Sequence, residues 1–172
     1  MEKMHELLQT LADRHLTLGS AESITGGGFA QEATRFPGSS AVFKGGIVAY
    51  TPAIKESQLG VPSATIERYG LVSEAVAKAM ATGGKNTLGV DMCVACTGNA
   101  GPGKEKGEAG VGDVYISVAY AGLTWTIGFR FGDIGREQVR RKAVSAMAEL
   151  ALSVLARPIE PAQEAKNSQS EE

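Results

Sequence analysis

The 172-residue chain is 43% hydrophobic and 21% charged, with a formal net charge of −2, which suits a globular protein long enough to bury a core. That charge argues against a nucleic-acid platform, because neutralising phosphates takes a surplus of Lys and Arg. No apolar run approaches the ~20 residues that span a bilayer. The opening MEKMHELLQT lacks the basic-then-apolar order of a signal peptide, so a cytoplasmic location and no membrane partner are expected.

In chain order, Met4, Leu7, Leu8 and Leu11 recur at helical spacing and predict a helix over 2–15, with His5 and His15 off its stripe. A short strand follows at 16–22, and the glycines of SAESITGGG open a helix through about Thr34. FPGSS (36–40) reads as a loop. AVFKGGIVAY (41–50) reads as a strand whose Gly45–Gly46 pair signals a bulge or a close backbone approach. TPAIKESQLG is a short helix with Pro52 in its first turn and Gly60 at its stop. A second short helix starts at Ser63 or Thr65 and ends near Gly70. A longer helix starts at Ser73 and is expected to close at Gly83 and Gly84.

VDMCVACTG predicts a buried strand over 89–96 that runs into the glycine-rich TGNAGPGKEKGEAGVGD. VYISVAY and LTWTIGFRF alternate, predicting two strands joined by an Ala121–Gly122 turn. A long helix is predicted from Arg136 to Ala156, with Val139, Ala143, Met147, Leu150 and Val154 inward. Helices alternating with strands, then a late hairpin, predict an α/β fold: a three-layer α/β/α sandwich around a mixed β-sheet. It is expected to form one domain over 1–157, with a polar, disordered tail over 158–172.

Four stretches can carry chemistry. In SAESITGGG, Ser23 is either a nucleophile at a strand-to-helix turn or, with Thr25, a helix cap beside turn-forming glycines. The Gly26-Gly27-Gly28 run would then let backbone approach a ligand, and free N–H groups at the helix start could hold an oxyanion. The base must come from elsewhere, since neither histidine lies in a suitable loop and no SxxK is present. Lys55, five residues after Tyr50 in YTPAIK, can serve if desolvation lowers its pKa; otherwise it is a solvated helix residue.

TGNAGPG, at the end of a predicted central strand, sits where open α/β sheets bind ligands. It matches neither a P-loop nor GxGxxG, so it is either a phosphate or ribose cradle or a surface loop. Arg136 and Arg140 share a helix face at i, i+4 and can bind an anion or form a wet face. Cys93 and Cys96 make a lone CxxC inside a strand, so they read as small core residues rather than a redox pair or zinc half-site.

Together AESITGG, PGSSAVFKGGIVAYTPAIKESQLGV, LVSEAVAKAMA, ACTGNAGPG and VGDVYISVA resemble, in order and spacing, the CinA carboxy-terminal domain family over roughly residues 4–156. That family includes the stand-alone nicotinamide-nucleotide amidohydrolases. The resemblance implies a compact α/β/α fold and hydrolysis of the carboxamide of nicotinamide mononucleotide (NMN), without metal or cofactor. It places the nucleophile on Ser23, the base on Lys55 and a proton relay on Tyr50. Oxyanion donors fall in the Thr25–Gly27 turn, and Arg136 falls where the family has a candidate phosphate ligand. Gly45, Gly46, Thr97, Gly98, Gly101 and Arg140 join the expected substrate-binding set, and a homo-oligomer is expected.

Three positions depart from the family pattern: Ile24 stands for Cys, YTP for YSN, and TGNAGPG for TGIAGP. They motivate the alternative of a catalytically silent nucleotide-binding or interaction protein linked to competence or DNA damage. A third option is an amidase acting on another small amide. Larger family members carry an amino-terminal domain similar to molybdopterin-binding proteins. With only 22 residues ahead of Ser23, this sequence is expected to lack it.

Overall fold

Five strands form one sheet in the order β2-β1-β3-β4-β5, and the computed structural model describes residues 2–104 and 108–158 of the chain. The strands are β1 (Leu18–Glu22), β2 (Phe43–Val48), β3 (Met92–Gly98), β4 (Asp113–Tyr120) and β5 (Leu123–Arg130). β1 pairs in parallel with β2 and β3, whereas β4 and β5 are added antiparallel, so the sheet is mixed. The helices are α1 (Glu2–Asp13), α2 (Gly28–Ala33), α3 (Pro52–Leu59), α4 (Ser63–Tyr69), α5 (Glu74–Leu88) and α6 (Arg136–Leu155), with a 3-10 turn at Ser39–Ala41.

Two apolar clusters lie on the two faces of the sheet. One gathers the inner stripes of α1 and α6 with Phe29 of α2 against Leu18, Val94 and Ile116. The other packs Leu59, Val76, Met80 and Ala81 against Ala21, Cys93 and Ala95. Because strand side chains alternate faces, Cys93 falls in one cluster and Cys96 in the other; both are buried and free. The result is the predicted three-layer α/β/α sandwich.

Most boundaries match the periodicity, and each match has a local cause. Thr51 caps α3 through its side chain and Pro52 opens it, while Gly60 ends it in the left-handed conformation. Ala121 and Gly122 both take positive φ, as the tight hairpin requires. The expected bulge is present beside Gly45, where Lys44 of β2 is left without a partner between the pairs Leu18–Phe43 and Gly19–Gly45. The tail expected over 158–172 lies, apart from Pro158, outside the described residues.

One boundary is wrong for an instructive reason. The helix from Ser73 does not close at Gly83–Gly84 but runs on to Leu88, with Gly89 as its left-handed stop. A β-carbon on Gly83 would sit 1.7 Å from the Leu59 carbonyl oxygen, and one on Gly84 would sit 2.7 Å from Cys93 Sγ. The pair is there to let the end of α3 and the sheet press against α5. Gly83→Ala is therefore expected to destabilise by about 3 kcal/mol or more, despite the ~1 kcal/mol that Ala gains over Gly in a helix. Urea denaturation measures it; a stability equal to or above that of the wild type would contradict this packing.

Candidate active site

The parallel strands β2, β1 and β3 all end on one side of the sheet, and the loops leaving them converge there. Ser23 follows β1 directly and is 7% exposed. Lys55 lies in the first turns of α3 yet is 2% exposed, among the largest fully buried side chains. Its Nζ lies 2.8 Å from Ser23 Oγ and donates to the Ala49 carbonyl at 2.9 Å. Two residues 32 apart in sequence thus meet as a buried pair. Burial pulls the Lys55 pKa down from 10.5 to about 8, outweighing an opposing contribution from Cys96.

Ser23 and Lys55 open into a cavity of about 660 Å³. Tyr50, Thr97, Gly98 and Arg136 line it, as does the 69–72 segment between α4 and α5. Thr97 Oγ1 donates to the Leu71 carbonyl at 2.8 Å, tying that segment to β3. Arg136 spans two walls, donating to the Gly101 carbonyl at 2.8 Å and to the Tyr50 hydroxyl at 3.0 Å. Tyr50 itself is 59% exposed. Its hydrogen-bond partner is the arginine rather than either member of the buried pair.

The turn after Ser23 is organised by a residue the sequence reading passed over. Glu22 is fully buried, and its carboxylate accepts four hydrogen bonds. They come from Thr25 Oγ1 (2.7 Å) and the Phe29 amide (2.8 Å) on one oxygen, and from Ser20 Oγ (2.9 Å) and the Ala30 amide (3.1 Å) on the other. The Gly28 amide at the start of α2 goes to the Thr25 carbonyl, and the Glu22 carboxylate rather than a Ser23 or Thr25 side chain satisfies the next two, those of Phe29 and Ala30. Strand alternation continued past β1 sends Glu22 to the α2 side and leaves Ser23 facing α3. The only signal in the sequence is an acid between an apolar strand and a glycine run.

Several expected contacts are not made. Thr25, Gly26 and Gly27 do not line the Ser23 cavity. The Gly26 amide donates to the Ser23 carbonyl at 3.0 Å, and the Thr25 hydroxyl lies 3.1 Å from the Cys96 thiol. Burial, reinforced by Glu22, pushes that thiol up to about 11, and it stays inert in the core. Gly45 and Gly46 lie within β2 away from the cavity; a β-carbon on Gly46 would meet Ser20 Oγ at 2.5 Å, which is a packing reason for glycine. Arg140 parts company with Arg136 and lies behind the turn, lining a second cavity of about 610 Å³.

Gly98 lines the cavity, whereas Gly101 does not and touches it only by accepting from Arg136 through its carbonyl. The sequence reading also missed Asp113 and Tyr115, which line the cavity from the start of β4. Among the described residues no group of His, Cys, Asp and Glu is arranged to hold a metal ion. No helix among them is long and apolar enough to cross a membrane.

The three departures have local roles. Ile24 is buried and its Cδ1 occupies the space where a Gly98 β-carbon would point. Pro52 opens α3. Asn99 cross-links its own loop, donating to the Gly103 and Ala109 carbonyls and accepting from the Gly101 amide at 2.9 Å.

Comparison with known proteins agrees with this architecture. The model of the CinA C-terminal domain matches residues 1–155. A CinA-like protein of Thermosynechococcus vestitus is 48% identical over 132 residues, and one of Synechococcus sp. is 46% identical over 139. These alignments cover 76% and 80% of this chain but 32% and 33% of the relatives, so the chain spans about a third of their length. Among solved structures, the competence/damage inducible protein CihA from Agrobacterium tumefaciens superposes with a TM-score of 0.86 at 36% identity, covering 91% of this chain and 94% of that one. A competence or damage-inducible protein from Enterobacter asburiae gives 0.87 at 28% identity, covering 90% and 97%. On the family match and on these relatives, the chain belongs to the CinA C-terminal domain family.

Proposed function

We propose that the domain is an amidohydrolase that converts NMN to nicotinate mononucleotide and ammonia, with Ser23 as nucleophile and Lys55 as base. The observation that carries this reading is the 2.8 Å contact between the two side chains at the wall of a nucleotide-sized cavity. A lysine with a pKa near 8 is partly neutral at physiological pH. In that form one N–H stays on the Ala49 carbonyl, and the nitrogen lone pair is left to accept the Ser23 proton.

The chemistry then balances without a further group. Ser23 Oγ bonds to the carboxamide carbon as its proton passes to Lys55 Nζ, and the carbonyl oxygen takes the negative charge. Collapse breaks the C–N bond while Lys55 returns the proton to the leaving nitrogen, releasing ammonia. Water, deprotonated by Lys55 in turn, hydrolyses the acyl ester and restores Ser23. Tyr50 accepts a bond from Arg136, which frees its own hydroxyl proton for donation toward the leaving nitrogen. The Arg136 donors not spent on Gly101 and Tyr50 suit the nucleotide phosphate.

Ile24, Pro52 and Asn99 each serve a local purpose and leave the Ser23–Lys55 contact in place, which supports the enzymatic reading over a silent nucleotide-binding or interaction module. The test is ammonia release by the purified protein from NMN, nicotinamide and NAD side by side. Release from NMN in preference to the other two is expected. No release from any of them overturns the assignment, and release from nicotinamide alone moves it to another small amide.

A further inference from the structure

Arg140 was expected to bind substrate beside Arg136, and instead it grips the back of the turn that carries the nucleophile. Its Nε donates to the Ile24 carbonyl at 3.3 Å and its Nη2 to the Thr25 carbonyl at 3.2 Å, while Nη1 reaches Glu137 at 3.4 Å. It lines the second cavity and not the one holding Ser23.

We propose that Arg140 is a positioning residue that fixes this turn so that the Ile24 amide faces the cavity as the oxyanion donor. The inference rests on Ser23 being the nucleophile, not on the identity of the substrate. In a planar trans peptide the N–H and C=O point in opposite directions. The Ser23 carbonyl accepts the Gly26 amide inside the turn, so the Ile24 N–H of that same peptide points out of it. Both Ser23 and Ile24 line the cavity, and the Ile24 amide has no backbone acceptor among the described residues.

The other amides of the turn are differently placed, since Gly26 is bonded to Ser23 and neither Thr25 nor Gly26 lines the cavity. The residue after a nucleophile is also a position from which hydrolases on other folds draw an oxyanion donor. What remains to be prevented is rotation of the next two peptides, which would turn a carbonyl toward the developing negative charge. A guanidinium fork engaging two successive carbonyls does this, and a lysine, with one compact ammonium, does not. Gly26 supplies the room, as a β-carbon there would lie 3.3 Å from Arg140 Nη2.

The experiment compares wild type, Arg140→Ala and Arg140→Lys by two readouts. One is kcat and KM for NMN. The other is the rate at which a fluorophosphonate modifies Ser23, followed by mass spectrometry, since its P=O oxygen takes the oxyanion's place. Removing an oxyanion donor typically costs about 10²-fold or more, so Arg140→Ala is expected to lose about that in both kcat and labelling, with KM within about threefold. Free guanidinium, entering through the second cavity, is expected to restore at least part of both. Arg140→Lys, which keeps the charge but not the fork, is expected to lose as much as Arg140→Ala in both readouts and covers the case in which the alanine variant fails to fold; wild-type values in it overturn the proposal.

Loss through KM alone, wild-type labelling in folded Arg140→Ala, or no guanidinium rescue overturns the proposal. Labelling that behaves as expected while NMN is not hydrolysed sinks only the choice of substrate. A wild type whose Ser23 is never labelled removes the nucleophile assignment and this inference with it.

Discussion

Lys55→Met is expected to reduce turnover by about 10³-fold or more while making the protein more stable at neutral pH. The activity loss follows from deleting the base that contacts Ser23, and losses of this order are typical when one member of a nucleophile–base unit is removed. The stability gain follows from the cost of burying an amine. Holding Lys55 at about 8, when it would titrate at 10.5 in the unfolded chain, costs the fold about 3 kcal/mol wherever the amine is protonated in both states. Methionine fills similar space without that penalty. It gives up the bonds to the Ala49 carbonyl and to Ser23 Oγ, worth about 1 kcal/mol each, for a net gain of about 1 kcal/mol.

The sign fixes the pH window. A lowered folded-state pKa means that the unfolded chain holds more protons between pH 8 and 10.5, so wild-type stability rises with pH across that interval. The advantage of Lys55→Met is accordingly full below pH 8, shrinks above it, reverses at about pH 9, and becomes a deficit set by the lost bonds once the amine is neutral in both states. Urea melts at pH 7 and pH 10 measure this directly. Wild-type activity is expected to rise through a midpoint near 8 as Lys55 loses its proton. A variant no more stable than wild type at pH 7 would mean that Lys55 is better solvated than its 2% exposure indicates.

The fold was legible because its signals are local. Apolar stripes at Met4–Leu11 and Val139–Val154, the Thr51–Pro52 start and Gly60 stop, and the Ala121–Gly122 turn each act within a few residues. Gly83–Gly84 misled because glycine gives the same signal whether it ends a helix or admits a neighbour; the deciding atom is a carbonyl 24 positions away at Leu59. The site divides in the same manner. Ser23 and Lys55 could each be named, but no spacing rule joins residues 32 apart, and only the convergence of loops after β1 and β2 does so.

Arg136 and Arg140 are neighbours by helical period, yet the nucleophile turn separates them, one reaching into the cavity and the other behind it. Thr25–Gly27 looked like an oxyanion turn because glycines expose amides. The Gly26 amide is in fact spent on the Ser23 carbonyl, and the shape of the turn depends on Glu22 and Arg140, residues drawn from two other elements.

Ser23→Ala is expected to abolish ammonia release, by about 10³-fold or more, while leaving NMN binding within a few-fold. The methyl of alanine fits the space of the hydroxymethyl, so the turn held by Glu22 and Arg140 keeps its shape. Lys55 keeps the Ala49 carbonyl and loses one partner, a cost of about 1 kcal/mol that is small beside the stability of a domain of this size. Calorimetry with NMN on this variant separates recognition from chemistry, because a bound but unprocessed nucleotide isolates the covalent step.

The pair of variants is more informative than either alone. Loss in both is the signature of a nucleophile and base that act as a unit, and the two losses should then fail to multiply in the double variant. Loss in Lys55→Met with substantial activity left in Ser23→Ala would instead point to water activated directly by the amine. In that mechanism Ser23 only orients Lys55, no acyl-enzyme forms, and the 2.8 Å contact is a tether rather than a proton path.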